Sequence, residues 1–161
     1  MRRLLSTISL ALASFAASVQ ATEGEFSITV PMESKGRATY YVKGEIGGHG
    51  DVDLLVDTGS GYLTINEVAL EDLLREKRAD YRRNLRGVLA DGRELEVPVY
   101  SISALRIGEQ CWLNDVEAAV FPGKTRFILG LSALAKAGPF IFRFDPPTLV
   151  LSRCRDLAVA G

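Results

Sequence analysis

Seven consecutive residues constrain this chain more than any others: Leu54-Leu55-Val56-Asp57-Thr58-Gly59-Ser60. An apolar, strand-forming run leads straight into a carboxylate, and a Thr-Gly turn follows at once. Such a run ends a strand on an acid at the rim of a sheet, where backbone N–H groups of the turn lie close enough to hold it. A second apolar run closing on glycine, Phe127-Ile128-Leu129-Gly130, comes later in the chain. A carboxylate in that position is available for chemistry.

The text on either side is strand-rich. Phe26, Ile28 and Val30, then Ala38, Tyr40 and Val42, alternate with polar residues and predict two strands over residues 25–46, broken at 32–36. Gly47-Gly48-His49-Gly50 is a turn into the strand that carries Asp57, and His49 is expected there as a solvated loop residue. After the acid, residues 62–65 return as a strand and Asn66 caps a helix running from 67 to about 80. Val68, Leu70, Leu73 and Leu74 supply its apolar face, with Glu71 and Arg75 spaced for an i,i+4 pair. Strands over 85–90 and 93–99 flank Asp91-Gly92, the strongest short-range hairpin signal in the chain. Residues 101–107, 111–116 and 117–121 continue as strands, 131–137 as a short helix stopped by Gly138-Pro139, and 140–144 and 148–152 as closing strands around Asp145-Pro146-Pro147. The sum is an all-β chain with one or two short helices.

Arg2 and Arg3, the apolar stretch 4–17 and the small-residue site Val19-Gln20-Ala21 predict a cleaved secretory signal over residues 1–21. A retained anchor is the competing reading, although the stretch is short for a span of ~20 residues. Without Arg2 and Arg3 the 19 basic residues fall to 17 against 20 acidic ones, a net charge of −3, so no basic surface for nucleic acid is implied. What remains is one domain's worth of chain, with no further apolar stretch suited to a bilayer. The expected location is exported, periplasmic or secreted. Cys111 and Cys154 are too few for a zinc site with His49 as the sole histidine partner, so no metal and no cofactor are expected. The two thiols either pair, which would stabilise an exported domain by roughly 4 kcal/mol in the chain-entropy model, or stay buried and reduced.

The apolar lead-in to Asp57-Thr58-Gly59-Ser60, together with Ile128-Leu129-Gly130 and Leu134, resembles the retropepsin-like aspartic proteases, and the resemblance extends over residues 38–152. It is similar to the bacterial-type exported members, which the charged helix fits better than it fits a minimal viral enzyme. The resemblance implies a single-domain acid protease barrel over residues 38–154, preceded by an N-terminal strand or extension at 22–37 and followed by a tail at 155–161. It implies an aspartic endopeptidase that takes peptide or protein substrates. Asp57 matches the catalytic aspartate, Thr58 the residue whose hydroxyl braces the partner's turn, and Gly59 the glycine whose backbone approaches the acid. Ser60 matches a small residue hydrogen-bonding near the carboxylate, and Gly130 the glycine that lets the second strand pack close. The hairpin at Ala90, Asp91 and Gly92 falls where the family carries its substrate-covering flap; an ordinary surface hairpin is the alternative.

Hydrolysis by carboxyls alone needs two of them, one to take a proton from water and one to give a proton, as the paired acids of aspartic proteases do. Asp57 is the only acid in an Asp-Thr/Ser-Gly setting. A second copy of the chain would supply the other, which implies a homodimer. The alternative keeps the fold and drops the reaction, leaving a peptide- or protein-binding module. An actin-like or sugar-kinase phosphate loop is disfavoured, since those folds need about twice this length and a second such loop. Asp51-Val52-Asp53 lacks the apolar lead-in of a phosphatase motif.

Overall fold

The computed structural model describes residues 28–36, 38–88, 92 and 94–154. The chain enters on β1 (Ile28–Pro31) and changes sheets directly after it. Pro31 has no N–H to give, and the Met32 N–H donates to Pro147 O at 3.0 Å, which carries the pairing of this strand with residues 147–151 one residue further before the change. β2 (Glu33–Ser34) then pairs with β3 (Tyr40–Ile46). The 47–49 turn, closed by the His49 N–H on Ile46 O at 2.8 Å, reverses the chain into β4 (Gly50–Val56). Next come β5 (Leu63–Asn66), α1 (Glu67–Arg75), β6 (Ala79–Val88) and β7 (Glu94–Ile102). β8 (Leu105–Ile107), β9 (Cys111–Leu113), β10 (Val116–Phe121) and β11 (Phe127–Leu129) follow. α2 (Leu131–Ala137), β12 (Phe140–Phe144) and β13 (Pro147–Leu151) close the chain.

Among the described residues, ten strands form one sheet in the order β6-β7-β10-β5-β11-β4-β3-β8-β9, with β2 attached to β3. A separate three-stranded sheet runs β1-β13-β12. The expected barrel is therefore corrected: the large sheet is open, with β6 and β9 at opposite edges rather than hydrogen-bonded to each other. The change of sheet after Met32 places the N-terminal strand on a second layer, against β13, instead of at an edge of the first. Between the layers lies one core that includes Val42, Ile46, Leu54, Leu63, Ile102, Leu129, Leu149 and Leu151, all fully buried. Cys111 and Cys154 form a disulfide that ties β9 to the residues following β13.

β11 sits between β4 and β5. It runs parallel to β4, with Phe127 opposite Leu54 and Leu129 opposite Val56, and antiparallel to β5, where Ile128 faces Thr64. That insertion brings the two apolar runs of the sequence side by side.

Several local expectations are revised. α1 starts as the sequence implies, with the Asn66 side chain accepting from the Ala69 N–H at 2.9 Å. It ends at Arg75 rather than near residue 80. The Lys77 N–H bonds Leu74 O and the Arg78 N–H bonds Leu73 O, with Lys77 at φ +56°, which is the left-handed stop usually carried by glycine. Ala69 and Leu73 are its buried residues, whereas Val68 and Leu74 are exposed. Arg75 pairs with Asp72, at 2.9 Å, and not with Glu71. His49 is no free loop residue: its Nδ1 lies 2.7 Å from Asp72 Oδ2, its side chain is 19% exposed, and its ring meets that of Phe127. His49 first and Arg75 second hold the Asp72 carboxyl below its ordinary range. The strand expected over 101–107 is two strands, and that over 111–116 stops at Leu113, with Asp115 at φ +55° before β10.

Candidate active site

Asp57 stands directly after β4, and its N–H donates to Leu129 O at 3.2 Å, which continues the β4–β11 ladder to the acid itself. The turn then folds back onto the acid. The Gly59 N–H donates to Asp57 Oδ1 at 2.8 Å and the Ser60 N–H to Asp57 O at 3.2 Å. A Cβ at Gly59 would stand 3.1 Å from that same carboxylate oxygen, so glycine lets the backbone donor approach. Asp57 is half-buried, and Thr58 and Gly59 are exposed.

The far side of the turn is fastened by α2. The Leu131 N–H bonds Ser60 O at 2.8 Å and the Ser132 N–H bonds Gly61 O at 3.1 Å. The Ser132 hydroxyl accepts from the Leu63 N–H at 2.7 Å and donates to Glu117 O at 2.7 Å. Gly130 makes this contact possible, because a Cβ there would lie 2.1 Å from Tyr62 O and 2.8 Å from Ser60 O. The turn is thus clamped between a strand and a helix before anything binds to it.

Asp57 opens on a cleft of about 570 Å³. Its floor and walls are Gly59, Ser60, Gly61, Tyr62, Thr64, Leu85, Ala119, Phe121, Thr125 and Ile128. The lining is largely apolar, with hydroxyls from Ser60, Thr64 and Thr125, which suits extended chains bearing apolar side chains.

The structure therefore brings Asp57, Gly59 and Ser60 together at one cleft, with Gly130 behind them and Thr58 at the exposed tip of the turn. The Ser60 hydroxyl donates to Tyr62 O at 2.9 Å rather than to the carboxylate. Ala90 and Asp91 lie outside the described residues. Gly92 is described, exposed and at φ +82°. Cys111 and Cys154 take no part in the cleft. Among the described residues, no cluster of three or more His, Cys, Asp or Glu side chains is arranged to hold a metal ion. Of the lining residues, Ile128 belongs to the second apolar run read from the sequence, whereas Tyr62, Leu85 and Phe121 were not singled out as site residues, since they come from three different strands or turns and share no local motif.

A family model described as aspartyl protease matches residues 42–133, from β3 through the first residues of α2. The chain belongs to the aspartyl protease family. Among solved structures, this family member is similar to a retropepsin-like aspartic protease from Rickettsia conorii, at 16% identity and a TM-score of 0.52. That match covers 82% of this chain and 98% of the other. It is also similar to the retroviral protease-like domain of Ddi1 from Leishmania major, at 18% identity and a TM-score of 0.52, over 77% of this chain and all of the other (100%). At such identities the likeness is one of fold, and the fold of this aspartyl protease family member is retropepsin-like. No curated protein matches the sequence.

Proposed function

We propose that the chain is an aspartic endopeptidase that cuts extended peptides between two copies of Asp57, one from each subunit of a homodimer. The observation that carries this reading is the Asp57 carboxylate itself, held by the Gly59 N–H at the mouth of an apolar cleft with its turn exposed. A single such turn supplies one carboxyl, and the reaction needs two.

In this reading, a water held between the two acids loses a proton to the ionised carboxylate as its oxygen bonds to the scissile carbonyl carbon. The protonated twin gives its proton to the carbonyl oxygen. The tetrahedral species then collapses: one carboxyl gives its proton to the amide nitrogen as the C–N bond breaks, the other carboxylate takes the proton of one hydroxyl as the carbonyl re-forms, and the pair again shares one. Exposed Thr58 is positioned to meet its counterpart across the two-fold axis. The hairpin joining β6 to β7 serves as the flap that closes over the peptide. The leader over residues 1–21 directs export, so the substrate is a protein of the same compartment.

Asp57→Asn keeps the shape of the side chain and removes the shared proton. Cleavage of a peptide library is expected to fall by about 10²–10⁴-fold or more. Undiminished cleavage by the Asn variant overturns the reading, and so does a wild-type chain that is monomeric in solution while fully active.

A further inference from the structure

Tyr62 is one of two aromatic residues lining the cleft, with Phe121, and its side chain is held from outside. Arg83 reaches it from β6, with Nη2 donating to the phenol oxygen at 3.0 Å. The same guanidinium makes a two-pronged pair with Glu117 of β10, Nη1 to Oε1 at 2.8 Å and Nη2 to Oε2 at 2.7 Å. A fork of this kind fixes direction as well as charge.

The backbone of β6 is adapted to this contact. Its register against β7 shifts between Tyr81 and Arg83, a bulge that resets which side chains face the cleft. From Arg83 onward alternate residues share a face, so Arg83 and the cleft-lining Leu85 point the same way. The strand that leads into the hairpin is thereby pinned to the cleft wall at its base.

Charge is balanced at the same point. Arg83 holds the Glu117 carboxyl below its ordinary range, and both side chains remain partly exposed, at 46% and 36%. Beside an apolar lining that includes Phe121 and Ile128, the pair presents no net charge.

We propose that Arg83 and Glu117 are positioning residues which fix Tyr62 as the wall of one side-chain subsite beside Asp57, and that their mutual neutralisation tunes that subsite to uncharged, apolar side chains. The inference rests on the reading of this cleft as a peptide site.

The test uses the full chain and a peptide library randomised around one bond, read twice: as cleavage by the active chain, and as retention of intact peptides by the Asp57→Asn chain. Glu117→Gln unmasks the guanidinium and is expected to enrich Asp and Glu at a single position by about fivefold. Arg83→Gln unmasks the carboxylate and enriches Lys and Arg at that position, while the double variant restores the apolar preference. Arg83→Lys keeps the charge but loses the fork, so KM rises with kcat nearly unchanged. A merely structural ion pair would slow cleavage at every sequence alike and leave the profile fixed in all variants, which overturns this inference and leaves the hydrolase standing. Retention with the expected shifts but no cleavage by the unaltered chain overturns the hydrolase and leaves this inference standing. Neither cleavage nor retention overturns both.

Discussion

At the scale of single residues, the acid turn is shaped by two glycines with different duties. Gly59 admits its own N–H to the carboxylate, and Gly130 admits the helix start to the back of the turn. Gly130→Ala would drive a methyl into Tyr62 O at 2.1 Å, against backbone that cannot rotate away. The expected cost is about 1–3 kcal/mol or more in urea unfolding, with activity lost through displacement of Asp57. An unchanged midpoint would mean that the strand and the turn are less closely packed than described. Both glycines and the acid were legible in the sequence, because each is flanked by an apolar run that fixes its setting. Tyr62 and Arg83 were not. The use made of Tyr62 depends on a guanidinium from β6, and that of Arg83 on a bulge for which Tyr81-Arg82-Arg83 carries no glycine or proline signal.

Among elements, α1 shows where a legible beginning can have an illegible end. Asn66 announces the N-terminus in the ordinary way, with its side chain on the Ala69 N–H and its amide on Thr125 O. The C-terminus is made by Lys77 in a left-handed conformation, a place where glycine is the usual marker and lysine reads as more helix. Lys77→Gly should therefore stabilise the fold by about 1 kcal/mol, since glycine adopts that conformation without the Cβ penalty. A thermal melt that rises by several degrees supports this, whereas a fall would show that the Lys77 side chain makes a contact that outweighs the strain. The hairpin between β6 and β7 was legible from Asp91-Gly92, but β6 is longer than expected because it begins at Ala79, where the helix was expected to end, and runs through residues 81–84, which no expected element covered. The open edge at β6 and the separate β1-β13-β12 layer follow from pairings between distant segments, which alternation within each strand does not encode.

For the whole molecule, surface ion pairs join the segments that the topology brings together. Lys35 and Lys43 hold the Asp53 carboxyl below its ordinary range, His49 and Arg75 do so for Asp72, and Arg83 for Glu117. In each case the folded carboxyl titrates lower than the unfolded one, so its stabilising effect is present above the unfolded value and is lost as pH falls through the folded one. Melting temperature should thus hold steady near neutrality and fall below about pH 4. Because these groups are exposed, added salt should flatten that dependence. A melting temperature that stays constant down to pH 2.5 would show that these pairs contribute nothing.

Assembly is the larger question at this scale, because one chain holds one Asp57. Wild-type and Asp57→Asn chains, unfolded together and refolded at known ratios, distinguish a shared site from a private one. If every site takes a carboxyl from each of two subunits, a mixed dimer is dead, and activity should follow the square of the wild-type fraction. Activity that falls in simple proportion to the wild-type fraction would mean that each chain works alone, and would contradict the two-subunit site.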